Sequence, residues 1–208
     1  MRLLVFALLS LLLVTSASAQ LATDKGWIFS KQDAGIKVYT RKLPGATFSE
    51  VRVVTTMNLP AKQLRNALAD DTALKDWVYN CAAAHVIKRQ DANNYHIYSE
   101  TELPYPMSNR EMVGQVKRWQ DPITKIYYAR TLACTGVIPV TAGKVRIYSY
   151  ESLWKLTAIS ANTVEVDYRI RSNPGGDLPA WVVDMFMTTG PLESVKKLKS
   201  VAMRDKYK

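Results

Sequence analysis

Between residues 164 and 171, apolar Val164, Val166, Tyr168 and Ile170 alternate with charged Glu165, Asp167, Arg169 and Arg171, the period-two pattern of a strand with one buried face. A short way on, the period lengthens. Trp181, Met185, Thr188, Leu192, Val195, Leu198 and Ala202 recur at spacings of three and four, which predicts an amphipathic helix with one apolar stripe; Lys196, Lys197 and Ser200 fall off it. The stretch Asn173-Pro174-Gly175-Gly176-Asp177-Leu178-Pro179-Ala180-Trp181 carries the change. Pro174 removes a ladder donor, Gly175 and Gly176 admit positive φ, Asp177 can cap exposed amides, and Pro179 suits a first helical turn. Inside the helix, Gly190-Pro191 predicts a kink, because Pro191 cannot donate to the carbonyl of Met187.

The rest of the chain is strand-rich. Residues 27–35 read as a short helix or turn before a strand at 36–41, and a Val- and Thr-rich strand spans 48–58. Pro60 and Ala61 open a helix with Leu64, Leu68, Leu74 and Trp77 facing inward and a break near Asp70-Asp71. From residue 85 to 155 about five strands are expected, with turns at 92–94, 104–109, 120–122 and 137–143. Strands, a helix, a long antiparallel run and a closing helix make an α+β protein, without the alternation a parallel sheet needs.

Composition adds a compartment. Arg2, an apolar run over residues 3–14 and Ala17-Ser18-Ala19 read as a signal peptide covering 1–19, which leaves 20–208 as a single exported domain, periplasmic or secreted. The run is too short to span a bilayer comfortably, and no other is longer. The 208-residue chain carries 28 basic against 18 acidic side chains, with a concentration at Lys196, Lys197, Lys199, Arg204, Lys206 and Lys208. That excess is either a solvated face or a surface drawn transiently to anionic lipid headgroups. An exported chain seldom meets nucleic acid, so none is expected as a partner, and a monomer is expected. Cys81 and Cys134 are the only cysteines; an oxidising compartment permits a bridge between them, with two buried thiols as the alternative.

Chemistry is sparse. Cys81 and His85 stand four apart, the spacing of two metal ligands on one helical face, but only His96 and Cys134 remain to complete a site, so neither metal nor cofactor is expected. No Gly-x-Ser-x-Gly elbow occurs, and neither histidine has an evident orienting acid. Glu100 and Glu102 share a strand face with His96 and Tyr98, without a second convergent group for acid–base work.

Three ordered segments resemble START domains, the steroidogenic-acute-regulatory-protein-related lipid transfer family. These are the turn at 173–181, the proline-framed Pro104-Tyr105-Pro106-Met107-Ser108-Asn109-Arg110-Glu111-Met112-Val113, and the loop from Pro139 through Gly143-Lys144-Val145-Arg146 with Trp154 beyond. The resemblance covers about residues 25–205 and implies a helix-grip fold, in which an antiparallel sheet wraps the C-terminal helix around a lipid-sized cavity. It implies a carrier of a lipid or other hydrophobic molecule without chemistry; the opposing reading is an enzyme, since related helix-grip folds house cyclases and hydrolases.

By the same resemblance, an acid would point into the cavity from the strand region of Glu100 and Glu102, so Glu100 or Glu102 would hold a ligand hydroxyl through Arg130, with Tyr98 beside them; the alternative is that both are surface carboxylates. Met112, Gly114 and Val116 form one face of their strand, opposite Glu111, Gln115 and Lys117, and would line the cavity, Gly114 leaving room for ligand. Val116 stands where some sterol carriers have an arginine. Val145, Ile147, Met185, Thr188, Leu192 and Val195 would complete the wall. Arg110 and Glu111 are expected to pair with neighbours and fix their turn. Val137, Ile138 and Val140, on a loop bounded by Gly136 and Gly143, would form a gate beside the C-terminal helix.

Cleavage after Ala19 is directly checkable. N-terminal sequencing of protein recovered from an exported fraction is expected to begin at Gln20, and retention of Met1 would refute processing.

Overall fold

In the computed structural model, which describes residues 26–45 and 48–208, the chain runs through β1 (Ile28–Asp33), β2 (Ile36–Arg41) and β3 (Glu50–Met57), then helices α1 (Ala61–Ala69) and α2 (Leu74–Trp77). There follow β4 (Cys81–Arg89), β5 (Asn94–Thr101), β6 (Arg110–Gln120), β7 (Tyr127–Ala133), the short β8 (Val145–Arg146) and β9 (Ser149–Ser160). β10 (Thr163–Asn173) leads into α3 (Ala180–Asp184), a π-helical turn (Met185–Thr189) and α4 (Gly190–Ala202). The expected signal segment and its cleavage site lie outside the described residues.

The strands form one sheet in the order β1-β2-β3-β10-β9-β7-β6-β5-β4, antiparallel throughout, and β8 adds a parallel pairing to the start of β6. Residues 27–35 thus enter a strand, not the expected helix or turn. β1 is an edge strand whose Ile28 and Phe29 are exposed, so no buried face imprints a period on its sequence. Ala34 and Gly35, both with positive φ, turn it into β2. Cys81 and His85 likewise lie on β4, a strand with register shifts, which removes the helical face suggested by their spacing. Both cysteines are free.

One face of the sheet is covered by helices. α4 packs on α1, α2, β2 and β3, while α1 reaches β9 and α2 reaches β4. The core between them holds Val38, Val53, Leu64, Leu156, Val164, Val166, Val195 and Leu198. The alternation read in β10 holds for Val164, Val166 and Tyr168. Its outward Asp167 is also buried, with its carboxyl below the usual range: burial opposes the charge, but hydrogen bonds from Arg169 and Arg52 outweigh it. The break after α1 falls where expected, and Asp70 accepts from the Thr72 amide at 3.0 Å. Gln63 Nε2 donates to the carbonyl of Ala202 at 2.7 Å, tying α1 to the end of α4.

The C-terminal helix is interrupted at the predicted place, by a π turn. The Gly190 amide bonds back to the carbonyl of Met185, and a Cβ at Gly190 would stand 2.9 Å from that oxygen, so only glycine fits. Pro191 has no amide to offer Met187. The wider turn shifts the helical phase, and Trp181, expected at the head of the apolar stripe, is instead 55% exposed, while Val182 is buried. Beyond the turn, Leu192, Val195, Leu198 and Ala202 keep the predicted stripe.

Leu198 is fully buried in the main core. Leu198→Ala is expected to destabilise the protein by about 2–5 kcal/mol in denaturant unfolding, and a loss below about 1 kcal/mol would mean that α4 is not packed as described.

Candidate functional site

The helices do not close flush on the sheet. Between α2, α4 and the inner face of β4 to β7, β9 and β10 lies a cavity of two lobes, each about 130 Å³, which share Val78, Ser99, Met112, Tyr150, Tyr168 and Ser194 as walls. The first lobe runs past Leu74, Trp77, Val116 and Trp154 and ends at Asp71 and Arg118. The second runs past Ile147 and Ile170 to Met185, Phe186, Gly190 and Pro191 at the π turn.

Strand register decides what faces the cavity. In β5 the inward positions are Tyr95, Ile97, Ser99 and Thr101; in β6 they are Met112, Gly114, Val116 and Arg118, and the pairs Ser99 with Met112 and Tyr95 with Val116 set them side by side. β9 contributes Tyr150, Ser152 and Trp154, and β10 contributes Tyr168, Ile170 and Ser172. The ring of Trp154 stacks on Tyr168 with centroids 3.7 Å apart and meets Trp77 edge-on at 5.7 Å. Tyr150 and Tyr168, with Ser99 and Ser194, place hydroxyls on the walls that both lobes share, giving the lobes a polar junction. Burial pushes both tyrosine hydroxyls up in pKa, and Tyr150 keeps open surface because it borders the cavity.

Of the expected wall residues, Met112, Val116, Ile147 and Met185 line the cavity. Gly114 faces the same way but leaves no room for ligand: a Cβ there would meet Thr131 Cγ2 at 2.7 Å and Met112 Sδ at 3.0 Å, so neighbouring side chains fill the gap. Tyr98 and Glu100 occupy the even, outward positions of β5, contrary to expectation. Arg130 also points outward and pairs with Glu151 at 2.6 Å, so it cannot relay a ligand hydroxyl to Glu100. Val145 packs beside Gly175, apart from both lobes. Thr188 bonds Asp184 at 2.8 Å, and Leu192 and Val195 belong to the core, so the cavity side of α4 is instead Gly190, Pro191 and Ser194. The stripe read from periodicity is the helix's deepest face, which grips the sheet.

On the outer face, the misplaced acid belongs to a second buried cluster. Tyr98 donates to Glu111 at 3.1 Å, Lys144 bonds Tyr98 and Glu100, and Asn109 donates to Glu100 at 2.7 Å. Glu111 is fully buried and accepts from Arg146 at 3.0 Å and from the Thr141 amide at 3.0 Å. Arg146 donates onward to the carbonyls of Ile138 (3.4 Å) and Pro139 (2.8 Å). The loop expected as a gate is therefore latched to the outer face, and Val137, Ile138 and Val140 line neither lobe. Arg110 does fix a turn, donating to the carbonyls of Pro174 (3.2 Å) and Gly175 (3.0 Å).

Arg118, Asp71, Tyr150 and Ser194 escaped the sequence reading. Arg118 had a usable signal, being the next inward position after Met112, Gly114 and Val116. His85 stacks on outward Tyr98 at 4.9 Å, and His96 shares that outward parity. Among the described residues no group of His, Cys, Asp or Glu side chains is placed to hold a metal ion, and no helix is long and apolar enough to cross a membrane.

Comparison with known proteins follows the same lines. The START domain profile matches residues 14–206. The crystal structure of a STAR-related lipid transfer protein from Xanthomonas axonopodis superposes with a TM-score of 0.77 at 28% identity, covering 86% of this chain and 99% of that one. Human STARD10 superposes with a TM-score of 0.78 at 19% identity, covering 90% and 77%, a likeness of fold. An uncharacterized protein of Pseudomonas aeruginosa is 26% identical over 181 residues, 87% of this chain and 89% of that protein.

The outer cluster generates a pH dependence. Hydrogen bonds from Lys144 and then Asn109 hold the Glu100 carboxyl below its usual value against a smaller effect of burial. Such a group stabilises the fold above its unfolded pKa, and that contribution is lost as pH falls through the folded value. Glu100→Gln is therefore expected to show a shallower fall of Tm on acidification than the wild type. Parallel curves in thermal unfolding across the carboxylate range would exclude the contribution.

Proposed function

This chain belongs to the START domain family, and on that premise we propose that it is an exported carrier that binds one hydrophobic molecule between sheet and C-terminal helix and releases it unchanged. The observation that carries the reading is the two-lobed cavity, lined mostly by apolar side chains, with hydroxyls where its lobes meet and Asp71 and Arg118 at one end. Its volume speaks to the cargo. An engineered cavity of about 150 Å³ accepts a benzene-sized guest, so lobes of this size favour a single acyl chain or a few fused rings over a two-chain phospholipid.

The non-catalytic part of the reading is supported by the wall chemistry. Tyr150, Tyr168, Ser99 and Ser194 bring hydroxyls to the lobe junction, burial disfavours the ionised forms of the two tyrosines, and neither histidine lines a lobe to act as a base. Transfer requires a transient approach to a membrane. Much of the basic C-terminal segment is already ion-paired: Lys196 with Asp33, Arg204 with Asp76, Lys206 with Asp70 and Lys208 with Asp205. Docking is better supported by exposed Trp181, one helical turn before Met185 and Phe186 at the second lobe, since tryptophan suits a membrane–water interface. The protein acts as a monomer in this reading.

Met112 is shared by both lobes, so Met112→Trp is expected to lower the loading of a fluorescent single-chain lipid by about tenfold while the fold persists. Wild-type protein should move that lipid between vesicles and return it with its mass unchanged. Unaltered loading of the variant would refute the cavity as the binding site, and a new product by mass spectrometry would replace the carrier with an enzyme.

A further inference from the structure

The far end of the first lobe carries charge. Arg118 projects there from the inner face of β6, one inward step beyond Val116, with its side chain only 7% exposed. Its Nη2 donates to Asp71 at 2.8 Å and to the Tyr95 hydroxyl. Its Nε and Nη1 carry no hydrogen bond among the described residues. A guanidinium presents five donors and cannot deprotonate, and burying donors without acceptors is unfavourable. Asp71, which also lines the lobe, is paired at the same time with Arg89 at 2.6 Å. Two guanidiniums thus share one carboxylate, and Tyr95 adds no charge, because burial first of all pushes its hydroxyl up in pKa. Arg89 meets Asp71 from the solvent side, its side chain 42% exposed, so Asp71 divides its charge and Arg118 is only partly neutralised at its end of the lobe.

We propose that Arg118 receives the acidic head of a single-chain amphiphile, a long-chain carboxylate, whose tail lies along Val116, Leu74 and Trp77 toward Tyr150. The inference rests on the reading that this cavity holds the hydrophobic ligand, and it adds the ligand's charge and orientation. A carboxylate brings the single negative charge that a partly neutralised guanidinium can take. A phosphate monoester brings close to two, more than the site balances. An alcohol of the same chain length would accept a hydrogen bond but leave the charge unmatched. Placed in this way, the head completes the donor set of Arg118 without displacing Asp71, and its charge-assisted hydrogen bonds form in a site largely withdrawn from water.

Decanoate, decanol and decyl phosphate separate the possibilities, with binding followed by the fluorescence of the lobe's Trp77 and Trp154. The wild type is expected to bind decanoate about tenfold or more tightly than decanol, with decyl phosphate weaker than decanoate. Arg118→Met should abolish the preference while decanol binding persists, and Arg118→Lys should keep part of it. Should Arg118→Met fail to fold because Asp71 loses a partner, the double change Arg118→Met with Asp71→Asn removes both charges, and the preference should again vanish. Equal affinity for decanoate and decanol in the wild type, or a preference that survives either variant, overturns the assignment to Arg118. Preference for decyl phosphate overturns the single-charge argument. Failure of all three amphiphiles to bind removes the cavity reading itself, an outcome distinct from loss of head-group preference alone.

Discussion

The architecture depends on the backbone bond from Gly190 to the carbonyl of Met185. Where a regular helix would advance, the chain widens into a π turn, because Pro191 withholds an amide and Gly190 alone can approach so closely. On one side of that turn, α4 sinks Leu192, Val195 and Leu198 into the main core. On the other, α3 joins a separate cluster of Val182 and Met185 with Leu103. A straight helix could not serve both. The residues of the turn and the first turn of α4 therefore border open space, and the second lobe lies where the two packing regions part.

The sheet sorts side chains by parity, and this explains what the sequence made legible. The strand-to-helix switch at residues 173–181, the break at Asp70-Asp71, the interruption before Pro191 and the alternation of β10 were all readable, because each depends on local backbone chemistry or on one strongly buried face. β1 was not readable, since an edge strand with Ile28 and Phe29 exposed has no buried face to impose a period. The site was harder still. Placing Glu100 in the cavity required choosing its parity, and the outer face also buries carboxylates, with Glu111 fully enclosed beneath the loop that Arg146 latches. Burial on both faces erases the contrast that a period-two argument uses. The π turn caused the other error, because a stripe drawn through it at constant phase carries Trp181 from the inside to the surface.

Polar groups inside the cavity also divide by charge. Tyr150, Tyr168, Ser99 and Ser194 place hydroxyls on the walls that both lobes share, and Ser194 accepts from the Tyr79 amide at 3.0 Å, so the lobe junction is polar but uncharged. Arg118 differs in kind, because its charge persists whatever neighbours supply and only part of its donor set is met.

The attachment of the C-terminal helix is divided as well. At its far end α4 is fixed by the core, by Gln63 on the carbonyl of Ala202, and by Asp70, which accepts from Tyr207 at 2.8 Å. Burial works against the Asp70 charge, yet hydrogen bonds from Lys206, Thr72 and Tyr207 prevail and hold its carboxyl far below the usual range. Near the second lobe Val182 and Met185 pack with Leu103, Met187 reaches the main core, the Tyr79 amide donates to Ser194 at 3.0 Å, and Lys31 adds a half-exposed contact to Thr189 at 3.2 Å and to Asp184 at 3.8 Å, of the kind worth at most about 1 kcal/mol. The helix is thus anchored in two packing regions, with the π turn between them bordering the cavity. Met187 of the π turn sits in the same core as Leu198, whereas Val182 and Met185 pack in the second cluster, so the turn joins the two regions and only its Gly190 and Pro191 side, with Met185 and Phe186, is left to face the second lobe.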